Sequence, residues 1–128
     1  MTITLSIPEP TPTLNQWQRM HWAQRRKLCE RFAWLLKLGN PKKQGKEISH
    51  CQIVIYRMSP GARPDWDNLY GGFKPLLDCL VMPTKSHPHG LGWIVDDNPA
   101  CIDQLIGVSI DTRKAGKITG TKIVINEI

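Results

Sequence analysis

The hydrophobic period of this 128-residue chain switches from two to 3.6 and back, does so again, and ends on two stretches of period two. Residues 2 to 7 alternate as a strand and run into the Pro-rich Ile7-Pro8-Glu9-Pro10-Thr11-Pro12. From about Met20 to Leu38 the pattern is helical: His21, Leu28, Phe32 and Leu35 share one stripe, Arg19, Arg26 and Lys37 lie opposite, and Gly39-Asn40-Pro41 is the stop. Residues 42 to 47 read as a polar loop. Cys51 to Arg57 is rich in β-branched residues and alternates as a second strand. A second helical pattern carries Phe73, Leu76, Leu77 and Leu80, and two strands, Gln104 to Asp111 and Thr121 to Asn126, close the chain. The order β-α-β-α-β-β predicts an α+β fold, with a small mixed β-sheet and two main helices packed on it. The length suits a single domain, residues 1 to 128, with a real core.

Pro75 limits where the second helix can begin. In a helix unbroken from Asn68, Pro75 would lack a hydrogen bond and clash with the carbonyl of Gly71. Gly71-Gly72 is also a poor helix interior. A break at the glycines follows, with the regular helix starting near Phe73 and Pro75 in its first turn. Residues 82 to 92 form a loop, after which the short extended piece Trp93-Ile94-Val95 delivers Asp96 and Asp97.

Composition removes several classes. The four cysteines, at 29, 51, 79 and 101, form no CxxC pair, so neither a zinc site nor a disulfide framework is expected; they read as small buried hydrophobes in a reducing compartment. The N-terminus lacks the charged lead and long apolar run of a signal peptide, and no apolar stretch approaches the roughly 20 residues that span a bilayer. A cytoplasmic protein with no membrane partner is the expectation.

Charge is the informative part of the composition. The net charge is +6, and Arg19, Arg25, Arg26, Lys27, Arg31, Lys37, Lys42, Lys43 and Lys46 fall in one stretch whose sole acid is Glu30. Such a block attracts a polyanion, although a solvated helix face accounts for it equally well in isolation. Against this background Arg63-Pro64-Asp65-Trp66-Asp67-Asn68-Leu69 stands out. In an extended backbone Asp65 and Asp67 leave from the same face, and two carboxylates so close stay ionised together only if a cation offsets them. With a further acid from a distant loop they make an oxygen-only ligand set of the kind magnesium prefers. Carboxylate-held magnesium on a basic protein points to chemistry on a phosphate backbone.

Residues 63 to 69, Lys74 with Leu77-Asp78-Cys79-Leu80, and Val95-Asp96-Asp97-Asn98 resemble, in that order, the RusA family of Holliday junction resolvases. The opening strand, the Pro-rich turn and Leu14-Asn15-Gln16-Trp17 before a basic helix are similar to the N-terminal half of the same family. Tyr70-Gly71-Gly72 reads as a three-residue insertion that keeps Lys74 at the family's lysine position, and the 82–92 loop is a second departure. The resemblance implies a RusA-like fold and a homodimeric, magnesium-dependent endonuclease, with manganese as a substitute ion, that resolves four-way DNA junctions by paired symmetric nicks. It implies Asp65, Asp67 and Asp97 as catalytic metal ligands, with Asp96 the weaker of its pair, and Lys74 as the cation that stabilises the scissile phosphate. Arg63, Arg19, Arg25, Arg26, Lys27, Arg31, Lys42 and Lys43 are the candidate DNA contacts.

Each of these residues has a plainer role open to it. Asp65 and Asp67 are common turn residues, Asn68 is a natural cap, and Lys74 is an ordinary helix lysine. Asp78 reads as a helix-surface residue, Trp66 as a core residue on the face away from the acids, and His87 and His89 as exposed loop residues. Arg63 suits either a phosphate or an aspartate. Two rival functions remain: a magnesium nuclease for other branched or single-stranded DNA, and a DNA-binding protein that does not cut.

Overall fold

The computed structural model of the chain describes every residue except Lys42 and Gln44. Strands β1 (Thr2–Ile7), β2 (Cys51–Ser59), β3 (Ile102–Asp111) and β4 (Gly120–Glu127) form one mixed sheet in the order β1-β4-β2-β3. Strand β4 is antiparallel to β1 and β2, whereas β2 and β3 run parallel. The α+β class holds, but each predicted helix is two: α1 (Leu14–Arg19) and α2 (Trp22–Gly39), then α3 (Trp66–Gly71) and α4 (Lys74–Leu80).

Alternation along the strands decides which face is covered. Leu5 and Ile7 on β1, Ile53 and Ile55 on β2, and Ile123 and Ile125 on β4 are buried on one side of the sheet. There they meet Leu28, Phe32 and Leu36 of α2 and Leu69, Phe73, Leu76 and Leu80 of α3 and α4. Burying these side chains is the main stabilising term, worth about 1.5–3 kcal/mol for each large aliphatic or Phe residue. The residues between them, including Val54, Tyr56, Ile106 and Ile110, form the second face, which no helix covers and which stays partly or largely exposed.

The first helical region divides at Met20, whose extended backbone (φ −75°, ψ 134°) ends α1. Both halves carry capping boxes: the Thr13 side chain accepts from Gln16 N, the His21 imidazole accepts from Ala23 N, and Gln16 and Gln24 reach back to the cap N–H groups. His21 is therefore an exposed cap rather than part of the buried stripe, and Leu36 is buried where Leu35 is only partly so. Asn40 finishes α2 by donating to Leu36 O and Ser6 O while accepting from Ser6 N, which ties the helix end to the edge strand β1.

The break at the glycines is where it was expected, and its reason lies in packing. The Pro-rich turn is laced to the sheet: Thr11 N donates to Thr121 Oγ1, whose hydroxyl donates to Glu9 O, and Arg57 Nε donates to Thr11 O. That lacing presses the carbonyl of Pro12 against Gly72, where a Cβ would sit 1.7 Å from the oxygen. A Cβ on Gly71 would likewise meet the Leu14 side chain at 2.7 Å. The two glycines thus let α1 and the turn before it dock on the α3–α4 junction.

Among the described residues, no helix is long and apolar enough to cross a membrane. The variant Gly72→Ala should lose about 3 kcal/mol of stability or more in a denaturant titration, the upper end of the cost of forcing atoms into a filled site. Gly45→Ala, where no atom lies within 4 Å but φ is +81°, tests backbone strain alone and should cost about 1 kcal/mol. Equal losses at the two positions would contradict the docking role of Gly72.

Candidate functional site

Asp65 and Asp67 do not lie in an extended segment, as the sequence reading assumed. Asp65 is the N-cap of α3 and Asp67 lies in its first turn, both exposed. An N-cap Asp ordinarily accepts a hydrogen bond from the helix backbone, yet the Asp65 side chain makes none. Trp66 follows the helix rather than a pleat, so it points outward, 63% exposed, instead of joining the core. Its ring stands 6.4 Å from that of Tyr70, whose hydroxyl oxygen accepts from Gly107 N at 2.7 Å and so covers part of the β3 edge.

The segment leading into α3 is fixed from β3. Asp111 accepts from Gly61 N and from Arg113, whose guanidinium, foremost among its partners, holds the Asp111 carboxyl well below the usual carboxylate range. Arg63 donates to Ser109 Oγ at 3.2 Å and pairs with no aspartate among the described residues. Arg63, Pro64, Asp65, Trp66 and Ser109 line one shallow cleft at the C-terminal end of β3.

Asp97 belongs to the other end of that strand. Ile94 forms an isolated parallel bridge with Ile48, Ile94 N donates to Leu80 O, and Asn98 O accepts from the N–H groups of Cys101 and Ile102 at the start of β3. Asp96 builds this turn, accepting from Asp97 N through one oxygen and from the Asn98 side chain through the other. The Asp97 carboxylate has no such bond among the described residues. With strand residues spaced by about 3.3 Å, the turn before Ile102 and the cleft at Ser109 are roughly 20 Å apart. Within one chain, then, Asp97 does not join Asp65 and Asp67. Among the described residues no group of three His, Cys, Asp or Glu side chains is arranged to hold a metal ion. A single chain does not fit a three-carboxylate magnesium site.

Lys74 turns away from the acids of α3. Its ammonium lies 3.0 Å from Asp78 Oδ1, one helical turn on. Asp78 is no plain surface residue: its side chain is 17% exposed and also faces His87 Nδ1 at 3.5 Å. His89 lies 3.6 Å from Glu30 of α2. Both histidines are thus partly buried rather than exposed, and they pin the 82–92 loop over a cleft of about 300 Å³ between α2 and α4. Cys29 lines this cleft, and burial, then the Asp78 carboxylate, push its thiol up to about 11.

The basic block divides by function. Arg25 stacks on Trp17 at 4.9 Å and donates to the carbonyl oxygens of Trp17 and Gln18, which fixes the α1–α2 corner. Arg26 pairs with Glu30, and Arg31 with Glu9. Arg19 and Lys27 are exposed, Lys43 is partly buried, and Lys42 lies outside the described residues. The pairs of Arg26 and Arg31 with acids are surface pairs, worth less than about 1 kcal/mol each, and a stronger anion can displace them. Sequence reading missed the Asp78–His87 and Glu30–His89 contacts, which join positions far apart in the chain and leave no local signal.

No protein-family model matches the chain, and no curated protein matches it.

The raised Cys29 thiol has a direct consequence. At pH 8 its thiolate fraction, and hence its alkylation by iodoacetamide, should be about a hundredfold below that of an unperturbed cysteine of pKa 9.0. Asp78→Asn removes one of the charges that hold the proton, so labelling should speed up. Labelling of the native protein at the free-cysteine rate would contradict the packing of the cleft.

Proposed function

We propose that this chain is a divalent-metal-dependent endonuclease of branched DNA that works as a homodimer and nicks four-way junctions symmetrically. One observation carries the reading: on a protein of net charge +6, the carboxylates of Asp65, Asp67 and Asp97 stay free of hydrogen bonds and ion pairs among the described residues, while most other acids near the helices are engaged. The order of the motifs, which resembles the RusA family, supports the same reading.

The distance between the acids within a chain makes the dimer part of the proposal. β3 is an edge strand with one acid station at each end. A two-fold axis passing beside its middle exchanges those ends, so the Asp65–Asp67 pair of each copy comes level with Asp97 of the other. Trp66, Tyr70, Ile106 and Ile110, all exposed on α3 or β3, supply apolar surface for such a contact. Bound there, magnesium or manganese would supply a nucleophilic water and offset charge on the phosphate. Arg63 would hold a phosphate at the entrance, and Arg19, Lys27 and Lys43 the arms. Lys74 keeps Asp78 and the 82–92 loop in position instead of meeting the phosphate.

The rival reading, a DNA binder that does not cut, is favoured by the separation of the acids within one chain. Incubation with four-way junction, Y-fork and linear duplex, with and without magnesium, separates the two. Symmetric nicks on the junction support the nuclease; binding without a metal-dependent product supports the binder. Asp65→Asn, Asp67→Asn and Asp97→Asn should each lower cleavage by more than about a hundredfold, the upper range for residues that merely support a metal ligand, and leave junction binding intact. A further outcome tests the shared site. An equal mixture of Asp65→Asn and Asp97→Asn chains, denatured and refolded together, should regain about a quarter of wild-type activity, because each mixed dimer keeps one complete site. No recovery would mean that each site is built by a single chain.

A further inference from the structure

The C-terminal half of α2 carries a second feature that the acids do not use. Trp34 and Leu38, one turn apart, are 60% and 65% exposed, on the side of the helix away from Leu28, Phe32 and Leu36. With Leu36, Pro41, Leu91 and Trp93 they line a groove of about 560 Å³. Trp93 is only 8% exposed and so contributes a fixed apolar edge. The rim is cationic. Lys37 and Lys43 both line the groove, and the Lys43 ammonium stands close to Gly92, 3.7 Å from where a Cβ there would be. Among the described residues no acid lines it; Glu30 stands beyond Trp34, in an adjoining cleft with His89.

We infer that this groove binds a short run of unpaired nucleic acid, with a base stacked on Trp34 and phosphates held by Lys37 and Lys43. Three facts select this occupant. An exposed flat aromatic ring with a flanking positive rim matches the alternation of base and phosphate along a single strand, and stacking on it needs no particular base. The cations continue beyond the groove, since Arg31 and Lys27 lie on the same helix one and two turns before Trp34, so a polyanion longer than the groove stays in contact. The volume also suits a few bases rather than a duplex, whose paired bases present no open ring face. The groove lies beside the segment that delivers Asp97, four residues after Trp93, where a strand displaced at a branch point would leave the cutting site. Binding here requires neither a metal nor a cut, so it stands apart from the nuclease reading.

The test is fluorescence anisotropy of a labelled oligothymidine of about twelve nucleotides with the full chain in EDTA, beside a duplex of the same length. Trp34→Ala should weaken binding of the single strand by about tenfold and of the duplex by less than about twofold, whereas Trp34→Phe, which keeps a ring, should stay within about threefold of wild type. Oligothymidine should also quench tryptophan emission less in Trp34→Phe than in wild type, a readout that holds even if Trp34→Ala folds poorly. Wild-type affinity in Trp34→Ala, or equal losses on single strand and duplex, would overturn the proposal. So would an acidic amphipathic peptide whose binding depends on Trp34 while oligothymidine binding does not.

Discussion

The parallel pairing of β2 with β3 governs this molecule. Neighbouring parallel strands cannot be joined by a tight turn, so the chain must cross from the end of β2 to the start of β3 over the face of the sheet. That crossing consists of α3, α4 and the 82–92 loop, and it carries nearly every residue that the sequence marks for chemistry. It begins with Asp65 and Asp67 and ends with Asp97. A parallel pair therefore starts and ends the crossing at opposite ends of β3, and the packing of the crossing leaves the acids near those ends. No side-chain rotation closes a gap of roughly 20 Å.

The rest of the helix layer secures the crossing. Gly71 and Gly72 admit the Pro-rich turn and α1, Phe73 packs against the bare backbone of Gly107, and the Tyr70 hydroxyl holds Gly107 N. At the far end, Asp78 gathers Lys74 and His87, while His89 reaches Glu30 on α2. Acids that serve the architecture are paired, and those at 65, 67 and 97 have no partner among the described residues. That contrast within one small domain is what gives the nuclease reading its physical content.

Strands were the most legible part of the fold. Alternation marked β1 and β4 to within a residue, and β-branched content marked β2, because the pleat imposes a period that a single buried face makes visible. The helices were less legible. The Thr13–Gln16 capping box was present to be read, but the basic run after it drew the helix start to Met20. The extended geometry assumed for Asp65 and Asp67 failed because Asp65 ends one backbone state and starts another; that change also reversed Trp66 from core to surface. Spacing left Lys74 open between a plain helix lysine and a catalytic one and the family resemblance chose the latter; its ammonium in fact pairs with Asp78 at i,i+4. The relative placement of Asp97 followed from strand direction alone, and neither composition nor local period encodes whether two strands run parallel. The groove at Trp34 was readable in part, as an apolar i,i+4 pair outside the buried stripe.

A dimer with shared acids makes a sharp demand on where a divalent ion sits. The most direct measurement is paramagnetic broadening by manganese, added at well below one equivalent to isotopically labelled protein. The account predicts that the amide signals of Asp65, Asp67 and Asp97 broaden together and most strongly, despite their separation along a single chain. Strong broadening at Asp65 and Asp67 with only weak broadening at Asp97, or none at any of the three, would contradict it.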